Sequence, residues 1–346
     1  MKKMFLTCAL SAVVLSAGAQ ITERRMATLV DEDVTRVFYG ADAPSLAYKA
    51  AKDGATIILS EGEFNTLSIE GKSVKLYGAG MNDDEESGLS KTKMSLYVRP
   101  GKYYDEYGKE YYALPEDMHV EGIHSPSCRI YDESRGLTLK GLIMTKCQID
   151  GSSTDTRMEV GATVKGMVIS QCKVQDVHFG KTENDVVFRN CHIKCVEGNK
   201  DFKSAIIIDH CILERTYSST VAYYTNNILL SDRIPDDATA YNNIVVQNSG
   251  LSQNATGDGN WFGVAVNGIF AEEGEDGTYA PGKKFTLKFP KTYVGTDGTE
   301  VGINGGVTPW NPIPSLPRIV SSKIDNRADT EGKINVNIKV EAQNRP

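Results

Sequence analysis

Some side chains in this 346-residue chain are of types that do chemistry wherever they meet a ligand. Between residues 102 and 112, Tyr103, Tyr104, Tyr107, Tyr111 and Tyr112 stand among carboxylates and lysines around Gly108. An aromatic ring offers an apolar face and, in tyrosine, a hydrogen-bonding tip. Tyr103, Tyr104, Tyr111 and Tyr112 are therefore candidates for a platform on which sugar rings stack. An ordinary hairpin with its tyrosines packed on the surface beneath fits the same pattern. The five histidines, His119, His124, His178, His192 and His210, have the right type for acid–base work or metal ligation. Their spacing assembles no nucleophile–base–carboxylate set, although His192 and His210 fall at nearby repeat positions on what could be one outer face. Turns at 272–277 and 295–299 are rich in Asp, Glu and Gly; calcium could sit there, but turn chemistry alone accounts for them. No CxxC pair is present, and no other cofactor is implied.

The elements that must position these groups announce themselves as a repeat. Segments 142–150, 167–175, 186–194, 206–214, 222–230 and 239–246 share an order: apolar residues, polar residues, Cys or Asn, one residue, then an apolar residue. The equivalent positions are Cys147, Cys172, Cys191, Cys211, Asn227 and Asn243, separated by 25, 19, 20, 16 and 16 residues. That period is too short for a strand–helix–strand unit of roughly 30 residues, and it suits short strands stacked about 4.8 Å apart in a parallel array. The expectation is an all-β right-handed parallel β-helix of about eight to ten coils, about 40–50 Å long. Equivalent side chains would form ladders along it. Asn can satisfy its neighbours as donor and acceptor, and Cys can serve as a small buried hydrophobe. Stacked thiols point the same way, which is poor disulfide geometry, so free thiols are expected, with a disulfide at Cys128 or Cys195 as the alternative.

The ends read differently. Lys2 and Lys3, the apolar stretch 4–15 and Ala17-Gly18-Ala19 read as a cleavable signal peptide over residues 1–19. The context of Cys8 lacks the pattern of a lipid anchor, and no later apolar run is long enough to span a membrane. The chain is expected to be exported, to the periplasm, the cell surface or the medium. Its formal charge of -7 and scattered Lys and Arg residues argue against nucleic acid as a partner. Residues 42–54 read as one capping helix, with Pro44 in its first turn and Gly54 at its stop. The β-helix would run over 20–270, interrupted by an insertion at about 81–135. Residues 271–346 would form a C-terminal β cap or appendage, ending in the strictly alternating strand 333–340.

With these repeats and ends, the chain resembles the pectin-lyase-like right-handed parallel β-helix proteins. More narrowly, it resembles exported Gram-negative members that carry an element like Gly295–Gly306. Within that resemblance, Gly62-Glu63-Phe64, Lys75–Gly78, Gln175-Asp176 and Asp201-Phe202 are similar to pectin methylesterase motifs. There the two carboxylates, Asp176 and Asp201, would divide the roles of general acid and nucleophile. Ile207–Cys211 and Arg233-Ile234-Pro235 are similar to pectate lyase segments, in which the aspartate equivalent to Asp209 binds calcium. The resemblance makes Asp176, Asp201, Asp209 and His210 the catalytic candidates. No Arg-Pro-Trp segment follows Asp201, and Ala238 stands where the lyase pattern has its final arginine. The leading expectation is thus a non-catalytic module that binds polysaccharide or an envelope protein. A polysaccharide lyase or other glycan-active enzyme, and a purely structural envelope protein, are the competing classes, since a fold does not determine function.

Overall fold

Each repeat resolves into two strands joined by a tight turn. In the unit around Cys211, the strand Ala205–Asp209 belongs to one sheet, His210 makes the turn at φ +50°, and Ile212–Leu213 belongs to another. The computed structural model describes residues 25–32, 34–83, 90–132, 135–151, 157–180, 183–197, 205–216, 222–231, 233–316, 318–324, 332–333 and 336–341. Residues 1–19, expected to be a signal peptide, and Asp201 lie outside the described residues.

The chain is nearly all β, with two long, mainly parallel sheets. The first has twelve strands and runs from Ala55–Leu59 through Val74–Tyr77, His119–Glu121, Ile143–Thr145, Thr163–Ser170, Asn184–Arg189, Ala205–Asp209 and Tyr223–Thr225 to Thr239–Tyr241. Met26–Asp31 and Val34–Tyr39 add an antiparallel edge to it. The second sheet has fourteen strands in two branches that meet at Lys173–Phe179, a strand long enough to pair with both. Register is strict because one face is buried and a slip of one residue would reverse every side chain. Ile57, Leu76, Val120, Met144, Ile169, Phe188, Ile208, Tyr224 and Ala240 are successive register partners, all buried. Ile149, Val174, Ile193, Leu213, Leu229 and Val245 do the same in the second sheet, and both rows enter one core.

The six described cysteines are all buried and free. The Cys and Asn positions form the expected ladder, in which each side chain accepts the backbone N–H one level back. Cys172 Sγ takes Cys147 N–H at 3.3 Å, Asn227 Oδ1 takes Cys211 N–H at 2.8 Å, and Asn243 Oδ1 takes Asn227 N–H at 2.9 Å. Asn260 continues the column beyond the last repeat noted in the sequence.

The N-terminal helix α1 spans Ala43–Ala50, with Pro44 in its first turn, and buries Ala43, Ala47 and Tyr48 in the core. It ends before Gly54, which holds a turn at φ +78°. Residues 81–135 are less of an interruption than their sequence implies. Thr92–Lys93, Leu96–Arg99, His119–Glu121, His124–Ser125 and Cys128–Ile130 all pair within the two sheets. Among the described residues of this segment, the antiparallel hairpin Gly101–Tyr104/Glu110–Ala113 forms a separate two-stranded sheet.

The segment from 263 to 316 lies along the side of the second sheet. Ile212, Ile228 and Ile244 point outward there and are buried against Ile269, Phe270, Phe285, Leu287, Val301 and Ile303. Beyond Pro314, Arg318–Ile324 and Val336–Glu341 pair with each other, so the alternating terminal strand belongs to a separate two-stranded sheet.

Candidate functional site

Asp209 ends its strand and His210 makes the turn between the sheets, in a column with Lys146, Gln171, Asn190, Asn226 and Asn242, all six turn residues at positive φ. Residues 294–315 run back along this column as a strap. Asn242 Nδ2 donates to Val294 O at 2.8 Å, and Asn226 Oδ1 accepts Thr296 N–H at 2.7 Å. Asn190 Nδ2 donates to Ile303 O and Gly305 O at 2.9 and 2.7 Å, Gln171 Nε2 reaches Pro309 O, and Lys146 Nζ reaches Ser315 Oγ at 3.4 Å. His210 is 2 % exposed beneath this strap, with Nδ1 2.9 Å from Asp209 Oδ1 and Nε2 3.2 Å from Thr299 Oγ1. Burial works against ionisation of Asp209, but hydrogen bonds from His210, Thr225 and Asn226 outweigh it and hold the carboxyl below its usual range. His210 fastens the strap and is shielded by it, whereas the Asp209 side chain keeps 18 % of its surface exposed, with Arg189 Nε 3.4 Å away. His192 does not share its column. It sits in the second sheet beneath Tyr279 and Phe285, each 5.5 Å away between ring centroids.

The four tyrosines do not make one platform. Tyr103 and Tyr111 are register partners and stack at 5.4 Å, with the Tyr103 hydroxyl pressed against Gly71. Tyr104 and Tyr112 occupy the other face of the ribbon, because successive strand residues alternate. There Lys102 lies 5.5 Å from the Tyr104 ring, and Arg135 covers Tyr112 at 3.6 Å.

Asp176 is better placed, on the outer wall of the second sheet with Lys194 Nζ at 3.7 Å. Two outward register rows meet on this wall. His124, Gln148, Lys173 and His192 form one, and Asp150, Gln175, Lys194 and Glu214 lie two residues beyond Gln148, Lys173, His192 and its next partner Ile212. Asp150 collects His124 Nε2 at 2.9 Å, Gln148 Nε2 at 2.6 Å and Lys173 Nζ. Burial would raise its pKa, yet these partners together hold it well below the ordinary carboxylate range. Glu214 is shifted the other way: burial raises it, Asp176 and Asp276 add to that, and Lys194 and Lys173 only partly compensate. His192 Nε2 donates to Gly277 O at 2.7 Å, leaving a buried Nδ1 3.9 Å from Glu214 with no hydrogen bond.

Tyr279 forms the rim between this wall and a cleft of about 360 Å³. Its ring lies 6.0 Å from Lys173 Nζ and meets Trp310 edge-on at 6.1 Å, and its hydroxyl bonds Asn82. Lys283, Lys284, Asn304, Trp310 and Pro312 are among the other lining residues. Lys283 is committed to Glu275 at 2.9 Å and to Thr278 O at 2.7 Å. Asn304 donates to Lys284 O and Phe285 O, and Lys284 is exposed. Two aromatic faces, one exposed ammonium and one oriented amide suit a polar ring compound. Trp310, in the Pro-rich run 308–314, was visible in the sequence as a rare residue type; nothing local marked Tyr279 as its partner. Among the described residues, no three or more His, Cys, Asp or Glu side chains are grouped to hold a metal ion. At 297, Asp Oδ1 accepts Thr299 N–H and Oγ1–H. No described helix is long and apolar enough to cross a membrane. In comparisons with known proteins, no family model, curated protein or solved structure matches this chain.

Proposed function

We propose that this chain is an exported right-handed parallel β-helix of the pectin-lyase-like type that binds polysaccharide without cleaving it. The observation carrying the reading is the cleft between Tyr279 and Trp310, bordered by Lys284 and Asn304 and continuous through Tyr279 with a wall of polar side chains. Sugars are recognised by aromatic faces flanked by a few oriented polar groups. The two-strand repeat and the strict register of both sheets support the β-helix reading. Affinity electrophoresis of the purified chain against neutral and acidic polysaccharides tests it. At least one polymer should retard the protein, and Trp310→Ala should weaken that retention tenfold or more, on the order of 1.5 kcal/mol. Unchanged retention in Trp310→Ala would sink the cleft as the site.

A second reading, a glycan-active enzyme, is favoured by one specific contrast: Asp150 is held ionised while Glu214 keeps its proton longer than usual. Opposed shifts are how a site divides acid from base, and the two carboxyls stand three register steps apart in one outward row, about 14 Å at about 4.8 Å per step. Reducing-end release that disappears in both Asp150→Asn and Glu214→Gln would replace the binding reading with this one.

A further inference from the structure

The other branch of the second sheet carries a row that the cleft does not use. Ser68, Tyr97, Arg129, Glu159, His178 and Glu197 are successive register partners. All point outward, since their strand neighbours Leu67, Leu96, Cys128, Met158, Val177 and Val196 are buried. At about 4.8 Å per step the row is about 24 Å long. One end is self-neutralised: Glu159 takes Arg157 Nε at 2.8 Å and His178 Nδ1 at 2.7 Å, and Glu197 lies 3.6 Å from Arg157 Nη1.

At its other end the row passes beside Arg99. Tyr97 and Tyr131 meet edge to face at 6.0 Å, and the Arg99 guanidinium lies over both rings, 5.8 and 5.0 Å from their centroids. Arg129 Nη1 donates to the Tyr131 hydroxyl at 3.1 Å. No described carboxylate pairs with Arg99, and its buried Nε has no acceptor. Glu70, its register partner, instead accepts Ser68 Oγ–H at 3.0 Å. Unpaired buried donors are rare in native proteins; Nε itself is shielded, so a ligand would meet the outer Nη groups. The two rings stand nearly perpendicular, so the guanidinium sits in the angle between them, and its Nη edge offers the fork that carboxylate and sulfate oxygens fit.

Resting on the polysaccharide reading, we infer that Arg99, flanked by Tyr97, Tyr131 and Arg129, seats an oxyanion group carried by an acidic saccharide, at a site separate from the Trp310 cleft. Titration calorimetry of the full chain with polygalacturonate oligomers, dextran sulfate and uncharged dextran tests this, and the first two probes distinguish a carboxylate from a sulfate. Arg99→Gln should weaken binding of at least one acidic polymer tenfold or more. Arg99→Lys should lose most of that affinity as well, because an ammonium keeps the charge without the planar fork. Should Arg99→Gln melt at a lower temperature, Tyr131→Phe, which keeps the ring and removes the hydroxyl that Arg129 holds, should still weaken acidic binding severalfold. Acidic binding that persists unchanged in all three variants overturns the seat and leaves the polysaccharide reading standing. Binding of neutral polymer alone does the same, whereas silence toward every polymer, neutral and acidic, overturns both.

Discussion

Asn227 shows how much one side chain does in this molecule. Fully buried, it accepts Cys211 N–H, donates to Ile208 O at 2.8 Å and reaches Asn243 Oδ1 at 3.0 Å. Asn227→Ala would strand a buried N–H and a buried C=O, each worth about 1–3 kcal/mol, so a loss of about 3 kcal/mol is expected in denaturant titration. Asn227→Cys should recover part of it, since a thiol fills the same role at Cys172 and Cys211. The ladder was legible in the sequence because its period is the repeat itself. His192 was visible only as a histidine; its burial comes from Tyr279 and Phe285, far along the chain. That burial pushes its pKa down from 6.5 to about 4. The unfolded chain therefore takes up the proton first as pH falls. The contribution is complete above about 6.5 and is lost on the way down to about 4, a change on the order of 3 kcal/mol. Denaturant midpoints measured across this window should fall less steeply for His192→Phe than for the parent chain; equal slopes would place the titration elsewhere.

Among the elements, the strap decides most about the candidate site, because it carries Trp310. Gly305 packs where a Cβ would meet Glu300 O at 1.7 Å and His210 Cδ2 at 2.5 Å. Gly305→Ala must therefore displace the strap, at a cost of about 1–3 kcal/mol. Hydrogen exchange should quicken at Gly302 and Trp310, whose N–H groups bond Asn226 O and Ile303 O. Amides within Ala205–Asp209 should keep their protection, and affinity in the cleft should fall. The sequence marked α1 by Pro44 in its first turn and Gly54 after its end, and the hairpin by Gly108. It marked 81–135 as an interruption, because the short strands there lack the Cys or Asn signature although they hold the same register. It also drew attention to Asp209-His210, because it showed neither the left-handed turn nor the strap that covers it.

Across the whole molecule, the core is continuous along the stack and holds Cys128, Cys147, Cys172, Cys191 and Cys211, while Cys195 is buried outside that cluster. Burial lifts Cys128 to about 12 and Cys147, Cys172 and Cys191 well above their ordinary value. A thiolate is the reactive form, so Ellman's reagent at pH 8 should find none of the six described thiols in the folded chain and all six after guanidinium unfolding. Rapid labelling of the native protein would mean that the column is open to solvent. The sequence by itself determined the strands, their stacking ladders and the burial of alternate residues, since these follow from short-range periodicity and the physics of pairing repeated segments. Only the tertiary structure decided that residues 263–316 fold back along the second sheet and across the turns. That return places Tyr279 over Lys173 and His192 and sets Trp310 beside it. Contacts between residues this far apart follow no period, so no local pattern in the chain records them.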